Sequence, residues 1–135
     1  MGELTGVMTI NEFYKLIPSL CRCDTSFDPD EWHNRNPLWG HCAVVVLLAQ
    51  DIFDGNLVCL CIPSGVHFLN EIFLDDNGYR VWVDFTQDQF GDDIPVFSSS
   101  LHVERGLLFG DGDTRERYEL LKSRFIARCV SCGRL

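Results

Sequence analysis

Long apolar runs are missing: the longest, Ala43 to Ala49 in this 135-residue chain, is far too short to cross a bilayer as a helix. A basic surplus is missing as well. Eleven Lys and Arg stand against twenty Asp and Glu, a formal charge of −9. A nucleic-acid backbone and an anionic membrane both reward clustered positive charge, so neither is expected as a partner. The opening MGELTGVMTINEF has no basic start followed by an apolar stretch. No secretory signal is expected from it, and the expected compartment is the reducing cytoplasm. The chain also shows no internal repeat and no βαβ alternation, which excludes solenoids and a doubly wound sheet.

What is present is an ordinary globular composition, 46% hydrophobic and 12% aromatic, enough for one domain over residues 1–135. Seven cysteines are many for this length, and the number is odd. In a reducing compartment thiol chemistry or metal binding is a better expectation than a disulfide framework.

Thr9 and Glu12 have capping-box spacing ahead of Phe13, Leu16, Ile17 and Leu20, which predicts a helix from Ile10 that Pro18 kinks or ends early. Residues 21–37 are polar and turn-rich and predict an irregular wrapping loop. Ala43 to Phe53 has no polar face until Gln50, so this helix is expected to be buried nearly all round, stopped by Asp54-Gly55-Asn56. Leu57 to Ile62 suits a central strand, with Cys59 and Cys61 as plain core residues. Val66 to Leu74 and Tyr79 to Phe85 flank Asp75-Asp76-Asn77-Gly78, a hairpin signal. The chain then reads as irregular until Asp113, whose spacing to Glu116 resembles a capping box before Tyr118, Leu121 and Phe125. The class is α+β: helices flanking an antiparallel β-meander.

The first turn of a helix carries unpaired N–H groups and the positive dipole end, an environment that favours a thiolate. Cys42 sits at such a start, and Gly40 permits a sharp turn before it. Of the four histidines, His67 is the one inside a predicted strand; His33 and His102 read as solvated loop residues. A four-residue loop, Asp75 to Gly78, pairs Leu74 with Tyr79 and Leu69 with Asp84. That makes His67 and Asp84 diagonal neighbours, about 7–8 Å apart at the backbone and within side-chain reach. A two-residue Asn77-Gly78 turn would place Asp84 opposite Glu71 instead, roughly 13 Å from His67. The longer loop is therefore a condition for Asp84 to orient His67 while His67 takes the proton of Cys42.

Three strings carry a resemblance: N-P-x-x-G-[QH]-C-A-V from Asn36 to Val44, H-[FY]-x-N from His67 to Asn70, and D-[FL]-T-x-x-Q-F from Asp84 to Phe90. Together they resemble the YunG-like family of small bacterial proteins, over about residues 20–125. The order Cys, His, Asp is also similar to that of papain-like and transglutaminase-like folds, in which a helix bearing the nucleophile packs on a sheet bearing the other two. The resemblance implies Cys42 as nucleophile, His67 as base and Asp84 as orienting carboxylate, in a cysteine hydrolase or acyl-transferase that needs no cofactor. One residue departs from it. His41 stands where Gln is expected before the cysteine, so the oxyanion role falls to the His41 ring or to Asn36, or is absent.

Trp39, Asn70 and Trp82 are further candidates for a substrate cleft. Thr86 and Gln89 read as structural, Thr86 capping a turn and Gln89 bonding the backbone around it. Cys21, Cys23, Cys129 and Cys132 form two close pairs that could hold a structural zinc. The expected substrate is a protein, a peptide or an amide-containing small molecule. The alternative is a binding or regulatory module that lost turnover, since a weakened oxyanion hole costs about two to three orders of magnitude in rate.

Overall fold

The computed structural model describes residues 2–135. Helix α1 runs Ile10–Leu16, and its capping box is complete: the Glu12 amide donates to Thr9 Oγ1 at 3.2 Å and the Thr9 amide to Glu12 Oε1 at 2.9 Å. Pro18 ends regular helix early, and the chain tightens into a 3₁₀ turn at Ile17–Leu20. Helix α2, Cys42–Phe53, is buried at every position from Val44 to Ala49. It lies between the sheet and the last long helix, which is why no polar face was needed.

The sheet has four antiparallel strands: β1 (Asn56–Ile62), β2 (Gly65–Phe73), β3 (Arg80–Val83) and β4 (Ser99–Val103), in the order β3-β2-β1-β4. The first three form the expected meander. Strand β4 was not expected, and neither was the short helix α3 (Arg105–Phe109). Ser99 to Val103 has no periodic signal because it is an exposed edge strand. Its regularity comes from pairing with β1, Leu57 opposite Val103 through Cys61 opposite Ser99. Helix α4, Thr114–Ser131, buries Tyr118, Leu121 and Phe125 as predicted. Asp113, however, makes no side-chain cap. Its Oδ1 accepts instead from Arg117 Nε at 2.8 Å.

Strand alternation divides the sheet. Leu57, Phe68, Asn70, Ile72, Val81, Val83 and Val103 share the parity that packs on α2, and the apolar ones belong to or abut the main core. Val58, Leu60 and Leu69 make a small cluster on the other side. Cys59 and Cys61 have the α2-facing parity, yet Cys61 is exposed and Cys59 only half-buried, against the core role expected of them. They pair with Phe68 and Val66, which line an open cleft, so that end of the sheet face is left uncovered.

Two features fix the segment before the cleft. Phe13 meets Phe53, Phe85 and Phe125 edge-on at 5.7, 4.9 and 5.9 Å, and Phe85 is 2% exposed. The residue before it, Asp84, is thereby tethered to the core. At the far end of α2, Gly55 has φ +80°, and a Cβ there would lie 2.1 Å from the carbonyl oxygen of Glu71. Gly55→Ala is expected to destabilise the protein by about 2–3 kcal/mol, from left-handed strain plus displacement of β2. Chemical denaturation checks it; a loss of only a few tenths would refute the close approach.

Candidate functional site

A cleft of about 340 Å³ opens where α2 begins. One wall is Ile62, Val66, His67 and Phe68; the other is built by Phe27, Asp28, Trp39 and the start of α4, with Cys42, Gln89 and Phe90 also lining the space. Cys42 is the first residue of α2. Its approach depends on Gly40, at φ +75°, where a Cβ would lie 2.3 Å from Ser26 Oγ. The Gly40 carbonyl accepts from the Phe27 amide at 2.8 Å, and Ser26 Oγ donates to the Trp39 carbonyl at 2.7 Å. Only glycine fits there, and the wrapping loop clamps the segment that delivers the thiol.

His67 and Asp84 meet. Leu74 N–H donates to the Tyr79 carbonyl at 2.8 Å and Phe73 stands opposite Arg80, so the loop is the four-residue one. Strand β3 stops at Val83, opposite Asn70, and the chain beyond it crosses to His67. His67 Nε2 donates to Asp84 Oδ2 at 2.7 Å, with the ring edge-on to Phe90 at 5.0 Å. Burial opposes charge on the ring most strongly. The Asp84 bond, then the nearby Cys42 sulfur and the charges of both partners, outweigh it and raise the His67 pKa to about 9. With Nε2 committed to Asp84, Nδ1 is the ring nitrogen left for a second bond.

The other carboxylate oxygen is held too. Asp84 Oδ1 accepts from the Thr86 amide at 3.1 Å and from Thr86 Oγ1 at 3.3 Å. Gln89 is 8% exposed; its Nε2 donates to Thr86 Oγ1 at 3.1 Å and its Oε1 accepts from the Gly40 amide at 3.4 Å.

The cleft candidates divide. Trp39 lines the cleft, its Nε1 donating to Asp28 Oδ2 at 3.2 Å. His41 does not. It is fully buried, Nδ1 donating to the Trp39 carbonyl at 2.9 Å and Nε2 bonded to Thr25 Oγ1 at 2.7 Å, so neither nitrogen is free for an oxyanion. Burial first, and then the charge of Arg117, lower its pKa to about 4 against the opposing backbone bonds. Asn36 Nδ2 is spent on the Gln89 carbonyl at 3.0 Å. Asn70 is wholly buried against α2, donating to the Val46 carbonyl at 3.0 Å, rather than in the cleft. Trp82 does not line the cleft: it stands opposite Glu71, bonded to its Oε2 at 3.0 Å, at the end of β2 away from His67.

His33 and His102 are both exposed as expected, but His102 lies on β4 rather than in a loop and pairs with Glu71 at 3.2 Å. Among the described residues no three His, Cys, Asp or Glu side chains are grouped to hold a metal, so Cys21, Cys23, Cys129 and Cys132 do not converge on one centre. Burial pushes the Cys21 and Cys129 thiols up. Arg117 was missed by sequence reasoning. It is 5% exposed, on the cleft wall, and joins α4 to the wrapping loop through the Thr25 carbonyl at 3.3 Å. An arginine in a charged helix gives no sign of that burial.

The molecule is thus an α+β protein whose sheet and central helix meet at a cleft lined by a cysteine and by a histidine bonded to an aspartate. Residues 9–130 match the family model described as YunG protein, and the chain belongs to that family. It is 32% identical over 95 residues to the uncharacterized protein YunG of Bacillus subtilis (strain 168), covering 70% of this chain and 75% of that one. No solved structure matches. Among the described residues no helix is long and apolar enough to cross a membrane.

Proposed function

We propose that this protein is a small cysteine hydrolase or acyl-transferase with a papain-like or transglutaminase-like arrangement of Cys42, His67 and Asp84. The observation that carries the reading is the 2.7 Å His67–Asp84 bond in the cleft that Cys42 lines from the first turn of α2. In the reacting form the Cys42 proton rests on His67 Nδ1, where the raised pKa of the ring holds it at neutral pH, and the thiolate attacks an amide or thioester carbonyl. The carbonyl oxygen takes up the electron pair, facing the first-turn N–H groups of α2, which no side chain caps. Collapse breaks the bond to the leaving group, which takes the proton from His67 and leaves an acyl thioester on Cys42. Water then releases an acid, or an amine takes the acyl group, the proton of either returning to His67 as the Cys42 sulfur departs as thiolate.

The sequence of events requires no cofactor. The net charge of −9 favours a cationic protein, peptide or small amide over nucleic acid or an anionic membrane. A binding module without turnover is the second reading. What favours it is His41, whose two ring nitrogens are both engaged inside the fold, leaving the oxyanion to backbone groups alone. A peptidyl electrophile followed by peptide mapping tests the first: Cys42 is expected to carry the label, at a rate well above the six other thiols. Equal labelling of exposed Cys23, Cys61 and Cys132 would end the enzymatic reading.

A further inference from the structure

We propose that Gln89 is a positioning residue that locks the His67–Asp84 pair to the segment carrying Cys42. The role rests on the proposed reaction at Cys42. The donor directions along the chain of bonds admit one arrangement. A carboxylate only accepts, so the single hydroxyl proton of Thr86 goes to Asp84 Oδ1 at 3.3 Å, beside the Thr86 amide at 3.1 Å. The Thr86 oxygen is then an acceptor, which calls for the NH₂ of Gln89, at 3.1 Å. That choice turns Gln89 Oε1 toward the Gly40 N–H at 3.4 Å, a group that can only donate. Every link therefore points the same way, from Gly40 through Gln89 and Thr86 to Asp84, and hydrogen bonds aligned in this manner reinforce one another.

Both ends of the relay are rigid. Gly40 is held through its carbonyl, which accepts from the Phe27 amide at 2.8 Å, and a Cβ there would meet Ser26, Phe27 and Asp28. Asp84 precedes a core phenylalanine, Phe85. Gln89 is tied a second time to the same segment, through Asn36 Nδ2 on its carbonyl at 3.0 Å. The histidine and the cysteine come from elements that share no backbone pairing. Asn70 ties β2 to α2 through the Val46 carbonyl, and the carboxamide adds a link between the turn that holds the imidazole and the segment that delivers the thiol.

Gln89→Met retains volume and removes both side-chain bonds. Thr86→Val removes the hydroxyl but keeps the amide bond to Asp84, and Thr86→Ser restores the hydroxyl. The readouts are the alkylation rate of Cys42 with iodoacetamide across the neutral range and the NMR titration of the His67 ring, with thermal unfolding to verify folding. Gln89→Met and Thr86→Val are each expected to slow alkylation about tenfold, since a displacement near 1 Å can cost up to about 100-fold. Each is expected to move the His67 titration, with Thr86→Ser behaving as wild type. The double variant should lose no more than the worse single, because the two groups act in series. A wild-type rate and titration in Gln89→Met, or fully additive losses, would overturn the role. Should Gln89→Met not fold, Thr86→Val decides alone. Wild-type Cys42 reacting no faster than a free thiol would remove the proposed reaction and this role together, whereas a reactive wild type with an unchanged Gln89→Met removes only the role.

Discussion

Replacing His67 with Ala is expected to slow alkylation of Cys42 near neutral pH by about 100-fold or more, the scale of a positioned proton-transfer group. The ring is 3% exposed and fixed by Asp84 at 2.7 Å, so little solvent competes for its second nitrogen. Asp84→Asn leaves the ring in place but changes which nitrogen carries the proton, because an amide can donate to Nε2 where the carboxylate accepts from it. Its expected cost is about tenfold or greater. Mass spectrometry of single-thiol alkylation measures both. Equal rates for wild type and His67→Ala would show that the imidazole does not serve the thiol.

Folding stability should pass through a maximum near pH 6.5, because the two buried histidines titrate in opposite senses. His67 has its pKa raised to about 9, so it binds its proton more tightly folded than unfolded. Its contribution is complete below the unfolded value and is lost as pH rises through 9, about 3 kcal/mol from end to end. His41 has its pKa lowered to about 4, so the fold resists its protonation. Its contribution is complete above the unfolded value and is lost as pH falls through 4, again about 3 kcal/mol. Below the ordinary carboxylate range the stabilised Glu12, Asp24, Glu71 and Asp113 add to the acid loss. Urea denaturation at a series of pH values tests this. His67→Gln should flatten the alkaline limb alone and His41→Gln the acid limb above pH 4.5 or so; a limb that persists unchanged assigns it elsewhere.

Local signals in the sequence carried much of this. The capping box of Thr9 and Glu12 and the unbroken apolar face of Val44 to Ala49 both have local causes, and both helices form. The count of residues between Leu74 and Tyr79 sufficed to bring Asp84 diagonally to His67, since strand pairing is arithmetic once a loop length is chosen. What escaped was decided across the chain. Gly40 and Gln89 are 49 positions apart, and no periodicity announces an amide meeting a carboxamide at that distance. His41 was weighed as a donor into the cleft because it adjoins Cys42. A residue just outside a helix can turn either way, and Thr25 decided it. Trp82 and Asp84 share a strand parity, but only Asp84 lies past the end of β3, where the chain leaves the sheet.

The hold of Arg117 on the Thr25 carbonyl has a bearing on how the protein is made. The residues that bring a thiol beside an imidazole are synthesised well before α4, yet one wall of their cleft includes Asp111, Thr114 and Arg117. The loop over the thiol lacks this one of its anchors until α4 docks. Docking of α4 thus closes the wall beside Cys42, and a chain cut before Asp111 would carry its cysteine in an unfinished pocket.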